Sequence, residues 1–199
     1  MKALAMASEG KLFIGGQWSA PTSDARIEVV SPYSEQAVGA VAAADRADID
    51  RAVAAARDAF EHGPWPHMAV SERIAVLRRL GEEFARRVET MAQTITLEMG
   101  SPISASRGAQ TAAPIAMLDA FTRIAESYPW RELRRTPTGA SYVNRQPKGV
   151  IAAIVPWNAP MMTTSMKLGP ALLSGCSFIL KPAAETPLSA LLLWRPNSP

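Results

Sequence analysis

The segment Val150-Ile151-Ala152-Ala153-Ile154-Val155 constrains the fold more than any other. A strand with one wet face alternates apolar and polar residues. A strand apolar at every position suits burial on both faces, which is the setting of a parallel sheet. Pro156 and Asn158 end the run, and Thr163 or Thr164 can cap a helix that continues through Leu173 and is closed by Gly175. Ser177-Phe178-Ile179-Leu180 is then a second apolar strand. Strand, crossover helix and strand make a βαβ unit with parallel strands. Thr186-Pro187 reads as a cap followed by proline at the first helical position, opening a helix over Leu188 to Trp194 that Pro196 breaks. The predicted class is therefore α/β, with the start of a doubly wound parallel sheet. Two strands and the beginning of a second helix leave such a sheet incompletely covered.

Upstream the pattern is mainly helical. Leu12-Phe13-Ile14 with Gly15-Gly16 reads as a strand entering a tight turn, and Ile27 to Val30 as a second strand stopped by Ser31-Pro32. A helix over Asp48 to Phe60 places Ile49, Val53, Ala56 and Phe60 on one face. The longest helix has Ser71 as its cap and a stripe of Ile74, Leu77, Leu80, Phe84, Val88, Met91 and Ile95. Gly100 and Pro102 stop it. A third helix spans roughly Ile103 to Glu126, with Gly108 and Pro114 as unfavourable residues inside it, and ends before Pro129-Trp130. Ser141-Tyr142-Val143-Asn144 reads as a strand and Pro147-Lys148-Gly149 as a turn.

Composition removes several functions. A content of 48% hydrophobic and 20% charged residues supports a packed core. One cysteine, Cys176, excludes an intramolecular disulfide framework and a Cys-rich zinc site, and with two histidines no metal site is expected. The net charge of +3 is too diffuse to argue for nucleic acid. The basic stretch 123–148 sets Arg123, Arg131, Arg134, Arg135, Arg145 and Lys148 against Glu126 and Glu132, with Tyr128, Trp130 and Tyr142 as its nearby aromatic residues. That reads as a solvated hairpin, so no nucleic-acid partner is expected. The apolar run at the N-terminus, broken by Ser8 and Glu9, falls short of a secretory segment, and no stretch approaches the ~18 apolar residues of a membrane span. A cytoplasmic location without membrane contact is expected.

Three segments, in this order and spacing, resemble the aldehyde dehydrogenase superfamily: Val155-Pro156-Trp157-Asn158-Ala159-Pro160; Lys167-Leu168-Gly169-Pro170-Ala171-Leu172 with Gly175-Cys176; and Ile179-Leu180-Lys181-Pro182-Ala183-Ala184-Glu185-Thr186-Pro187. Ile14-Gly15-Gly16-Gln17-Trp18, Ser31-Pro32 and Leu97-Glu98-Met99-Gly100-Ser101-Pro102 resemble it too, so the likeness covers roughly residues 11–191. The resemblance implies oxidation of an aldehyde to a carboxylic acid with NAD or NADP. In that family a cysteine thiolate attacks, a side-chain amide donates to the oxyanion, hydride moves to the nicotinamide, and a glutamate activates water.

By that resemblance Asn158 is the oxyanion donor. A neutral amide suits the role, because a carboxylate would repel the developing charge and a lysine could protonate the nucleophile. Ile154, Val155, Pro156 and Trp157 would line the nicotinamide side, with plain core packing an equal reading for Ile154 and Val155. Lys181, followed by Pro182, would reach the adenosine ribose from a strand end. Where the family often has a glutamate three residues after this lysine, this chain has Ala184, and its carboxylate comes one residue later at Glu185. The choice between NAD and NADP stays open. Lys167 aligns with a lysine near the substrate channel, or it faces solvent. Ala159 and Met166 stand where many relatives have bulky aromatics, which implies a wider channel. Cys176 occupies a turn position of the family and reads as a small buried hydrophobe, not as the nucleophile.

The expected organisation is the N-terminal part of an aldehyde-dehydrogenase-like fold. Residues 11–135 would be strands and helices of the cofactor-binding domain, 136–149 a hairpin resembling the family's oligomerisation segment, 150–191 the first, incomplete βαβ of the dinucleotide sheet, and 192–199 a tail outside the family pattern. No Gly-Gln-X-Cys nucleophile segment, Glu-Leu-Gly-Gly base segment or Gly-Ser-Thr phosphate loop follows. The expectation is a fragment truncated before the catalytic domain and inactive alone. The alternative is a non-enzymatic module that docks onto a full-length relative, as a homo- or hetero-oligomer through the hairpin.

Overall fold

The computed structural model describes residues 10–194. The N-terminal apolar run before Gly10, and residues 195–199 of the expected tail with Pro196 among them, lie outside the described residues. The chain opens with a hairpin of β1 (Leu12–Ile14) and β2 (Gln17–Ser19). Its turn residues Gly15 and Gly16 both have positive φ, 60° and 80°, the handedness that matches strand twist. Phe13 and Trp18 face each other across it with ring centroids 5.3 Å apart.

β3 (Arg26–Val30) pairs with β4 (Ala37–Ala42). Nothing in the sequence marks β4 as a strand, because Ala and Gly are weak strand formers. Its value lies in small size: a Cβ at Gly39 would stand 3.1 Å from Leu188 Cδ1. Leu188 packs there with Val29 and Val41 in a satellite core.

Helix α1 (Arg46–Glu61) starts from a capping box in which Asp48 N–H donates to Asp45 Oδ1 (3.0 Å) and Asp45 N–H to Asp48 Oδ2 (3.2 Å). Here the expected face is corrected. Ile49 and Val53 are 44% and 40% exposed, while Asp48 is buried and also accepts from Thr22 N–H. Those bonds fix the helix's rotation: Ala56 and Phe60 of the expected face are half-buried, and Ala52 and Ala55 turn inward in place of Ile49 and Val53.

The long helix is two helices, α2 (Val70–Arg86) and α3 (Val88–Met99), broken at Arg87. Ser71 is not the cap; the helix starts earlier, where Glu72 accepts from the Ala69 N–H at 2.7 Å. Ile74, Leu77, Phe84, Met91 and Ile95 are buried as the stripe predicts. The third helical stretch divides into α4 (Ile103–Arg107), a π turn (Gly108–Ala112) and α5 (Ala113–Ser127). Pro114 supplies the reason. In a regular helix its ring would meet the carbonyl four residues back, and the wider turn, closed by Ala113 N–H on Gly108 O, removes that clash.

β5 (Arg131–Thr136) and β6 (Gly139–Asn144) form a solvated hairpin, in which Arg131 lies over the Tyr142 ring at 3.9 Å. The parallel pair follows: β7 (Val150–Ile154) and β8 (Ser177–Lys181), in register from Val150↔Ser177 to Ile154↔Lys181. Their crossover α6 (Pro160–Leu173) begins at Pro160 and not at Thr163 or Thr164; Thr164 hydroxyl instead donates back to Pro160 O at 2.7 Å. Gly175 (φ 87°) ends it in a Schellman turn, with Gly175 N–H on Leu172 O and Cys176 N–H on Ala171 O. Gly169 lets α6 meet α5, since a Cβ there would lie 2.6 Å from Phe121.

The last helix, α7 (Leu188–Leu192), has Pro187 in the cap position. Thr186 does not cap it, and its buried hydroxyl has no partner. The capping is done from α3, by Glu98. The main core joins α2, α3, α5, α6 and α7 around Leu77, Ile95, Leu118, Met161 and Leu192.

Candidate functional site

The residues singled out by resemblance gather where β7 and β8 end. Val155 N–H donates to Lys181 O at 3.2 Å, which carries the pairing one residue past β7. Ile154 and Lys181 are register partners, so their side chains leave the same face of the pair. Ile154 is 63% exposed and Lys181 is exposed, whereas Val155, at 4%, packs into the interior. Trp157 is 53% exposed; Pro156 and Asn158 are exposed beside it. On the β8 side Pro182 is half-buried, and Ala184 and Glu185 are exposed in the loop that leads to α7.

Asn158 sits in the short link between β7 and the proline start of α6. β7 is not buried on both faces as its apolar run predicts, since Ala153 alone of its residues is buried and Ala152 and Ile154 are exposed on the opposite face. Its backbone is anchored from another element: Gln110 Nε2 donates to Asn158 O at 3.3 Å. One residue on, Thr163 N–H donates to Ala159 O at 3.0 Å. The main chain is thus fixed while the Asn158 amide side chain remains open to solvent. Lys167 does not simply face water. Its Nζ donates to Ile154 O at 2.6 Å and ties α6 to the end of β7. Met166 is 52% exposed and Ala159 half-buried.

Cys176 is placed elsewhere. It precedes β8, at the end opposite to Lys181, roughly 17 Å away along extended chain. It is 2% exposed, and its Sγ accepts from Ser174 Oγ at 3.5 Å. The buried Arg73 guanidinium lies near it, donating to Leu173 O (3.0 Å) and Met68 O (2.6 Å); burial pulls the guanidinium's proton affinity down.

Two further residues matter that sequence reasoning passes over. Gln110 lies in the π turn that Gly108 and Pro114 foretell as an irregularity. Glu98 continues the buried stripe Met91, Ile95 at helical spacing, and a carboxylate on an apolar stripe is itself a signal. Its Oε2 accepts from Leu188 N–H at 2.7 Å and its Oε1 from Ser189 N–H at 3.1 Å. Burial pushes its carboxyl up to about 7, against the pull of hydrogen bonds from Ser189 and Leu188.

Among the described residues no group of three or more His, Cys, Asp or Glu is arranged to hold a metal ion. No helix among them is long and apolar enough to cross a membrane.

A model of the aldehyde dehydrogenase family matches residues 18–196. Geranial dehydrogenase of Castellaniella defragrans is 36% identical over 183 residues, 92% of this chain and 38% of that protein. The NADP/NAD-dependent aldehyde dehydrogenase PuuC of Escherichia coli is 36% identical over 192 residues, 96% of this chain and 39% of that protein. Among solved structures, the NAD+ complex of a Mycobacterium tuberculosis aldehyde dehydrogenase superposes with a TM-score of 0.87 at 39% identity, covering 92% of this chain and 39% of that one. AldC of Pseudomonas syringae, solved with NAD+ and octanal, superposes with 0.89 at 38% identity, covering 95% and 38%. The chain thus spans about 38% of the length of the relatives it matches, and its fold is the N-terminal part of theirs. A family match over almost the whole sequence, with the Asn158 link and the Lys181 strand end in one place, means that the chain belongs to the aldehyde dehydrogenase family.

Proposed function

We propose that the chain provides the oxyanion-stabilising amide and the nucleotide-facing strand ends of an NAD(P)-dependent aldehyde dehydrogenase, and that these 199 residues alone do not turn over an aldehyde. The observation that carries this reading is the link after β7, where Asn158 is held through its backbone by Gln110 while its amide stays free. A main chain fixed in advance sets where the amide starts from, and the free N–H groups are available to donate when negative charge develops on a carbonyl oxygen.

The residues present fit a dinucleotide. An exposed ammonium at Lys181 and an exposed indole at Trp157 flank the carboxyl ends of two parallel strands, where α/β sheets take their ligands. Ile154, Val155, Pro156 and Trp157 shape the nicotinamide side, Val155 from the interior; Lys181, Pro182, Ala184 and Glu185 serve the adenosine ribose. Ala184 offers no carboxylate to repel a 2′-phosphate, while Glu185 offers one a residue later, so the cradle is assigned to NAD or NADP without a choice between them. The bound nicotinamide supplies a hydride acceptor; the chain's own residues orient it and stabilise the oxyanion. Aldehyde is the substrate, entering a channel left wide by Ala159 and Met166. The buried Cys176, at the wrong end of β8, is not the attacking thiol. The thiol and the water-activating carboxylate come from outside these residues.

Calorimetric titration with NAD+ and NADP+ tests the cradle. Weak binding that Lys181→Met lowers further is expected, and no binding at millimolar nucleotide refutes it. Steady NADH formation by the purified chain with an aldehyde would refute the second half.

A second reading, a module that docks onto a full-length relative, is favoured by one observation. Leu133 and Tyr142 are register partners on the β5–β6 hairpin and are 44% and 57% exposed. Co-purification with such a relative, lost in Leu133→Glu, would support it.

A further inference from the structure

α7 is short, and it begins directly after the loop 182–187, which follows Lys181 and closes on Pro187. Its apolar residues Leu188 and Leu192 pack into two different cores. Such contacts hold a helix at a distance but leave its sliding and rotation weakly set, because apolar attraction is not directional. Direction comes from both ends of α3. Glu98, in the last turn of α3, takes the first two N–H groups of α7, at 2.7 Å from Leu188 and 3.1 Å from Ser189. Arg87, at the start of α3, donates from Nη1 to Leu192 O at 2.9 Å, the last residue of α7. The two helices therefore run antiparallel, with a carboxyl accepting at the amino end of α7 and a guanidinium donating at its carboxyl end.

The consequence reaches the loop. At one end it is held by the β7–β8 ladder, which finishes at the Ile154↔Lys181 pair. At the other it runs through Thr186 N–H on Ala183 O directly into the residues that Glu98 grips. Six residues between two fixed points, with prolines at both ends, have little freedom left. We propose that Glu98 and Arg87 are positioning residues for the nucleotide: by clamping α7 at both ends they fix the loop that presents Ala184 and Glu185 beside Lys181 at the end of β8. The clamp stands on its own geometry; its functional half rests on the cofactor reading given above.

Hydrogen exchange read by mass spectrometry on the full chain tests this, with NAD+ as the probe and with wild type, Glu98→Gln and Arg87→Met compared. Glutamine keeps the shape but has one oxygen to accept with, so one α7 N–H loses its partner. Exchange over 182–193 should quicken roughly tenfold to a hundredfold without nucleotide, the equivalent of one charge-assisted bond, while α2 and α5 keep wild-type rates. The NAD+-dependent protection of 181–187 should weaken several-fold, which a group serving stability alone would not cause. Unchanged exchange over 182–193, or equal quickening in α2 and α5, overturns the clamp. Absence of NAD+-dependent protection in the wild type overturns the nucleotide half, and the nucleotide-free rates still decide the clamp separately. If Glu98→Gln does not fold, Arg87→Met, which acts at the other end of α7, supports or overturns each half by the same exchange rates.

Discussion

Raising the pH should destabilise this chain through one carboxylate. Glu98 is 2% exposed, and burial pushes its carboxyl from an ordinary 4.5 up to about 7. A tenfold change in proton affinity is about 1.4 kcal/mol, so ionising Glu98 disfavours the folded state by about 3 kcal/mol. The sign follows from which state holds the proton. Between pH 4.5 and about 7 the folded chain keeps the Glu98 proton while the unfolded chain has lost it. Stability therefore falls with rising pH across that window, by up to about 1.4 kcal/mol per pH unit, and levels off above it. Asp45, Asp48, Glu89 and Glu132 are held below their ordinary values by hydrogen bonds, for Asp48 against an opposing push from burial, so they act the opposite way and at lower pH. Urea titrations of wild type and Glu98→Gln, subtracted at each pH, remove those groups. The difference should decline by about 3 kcal/mol from pH 4.5 to pH 8. A flat or rising difference curve would mean that the buried carboxylate is not disfavoured as its surroundings require.

Leu118→Ala, at a position 1% exposed in the main core, should cost about 2–5 kcal/mol in urea unfolding. Gly100→Ala should cost about 1–2 kcal/mol for a left-handed φ of 77°, and more for a Cβ that would stand 2.6 Å from Pro32 Cγ; the same titration measures it. Asn158→Ala should leave the unfolding midpoint nearly unchanged, within about 0.5 kcal/mol, because the structure uses its backbone and not its exposed amide. A large loss there would show the side chain to be structural and would weaken the oxyanion assignment.

Much of the fold is legible in the sequence because its signals are local. The all-apolar run 150–155, the stripe from Ile74 to Ile95 and the stop at Gly175 each depend on neighbours within a turn or two, and each stands where expected. The errors have a common cause, which is that long-range bonds override local preference. Asp48 looks like any helix-start acid, yet its tie to Thr22 rotates α1 and leaves Ile49 and Val53 outside. Thr186 looks like a cap, yet a carboxylate 90 positions before Leu188 does the capping. β4 has no visible signal, since its Ala and Gly residues suit what approaches them, Leu188 above all.

The candidate site divides along the same line. Asn158 and Lys181 are readable because their positions follow directly from where two apolar strands end, and a strand end is a local event. What holds them is not readable that way. Gln110 reaches Asn158 from a helix irregularity 48 positions away, and Glu98 steadies the Lys181 loop from 90 positions before α7. A sequence pattern thus identifies the groups that meet a ligand, while their precision is built from residues that pattern alone would assign to helix surfaces or to packing. Both supporting residues carry a trace of their role: a polar side chain inside a π turn and an acid on an apolar stripe are costly without partners. The partner in each case is backbone next to the site; Gln110 Oε1 stays buried without a partner and the Glu98 carboxyl is pushed up by burial, so both residues cost stability where they hold the two loops on which a nucleotide and an oxyanion would depend.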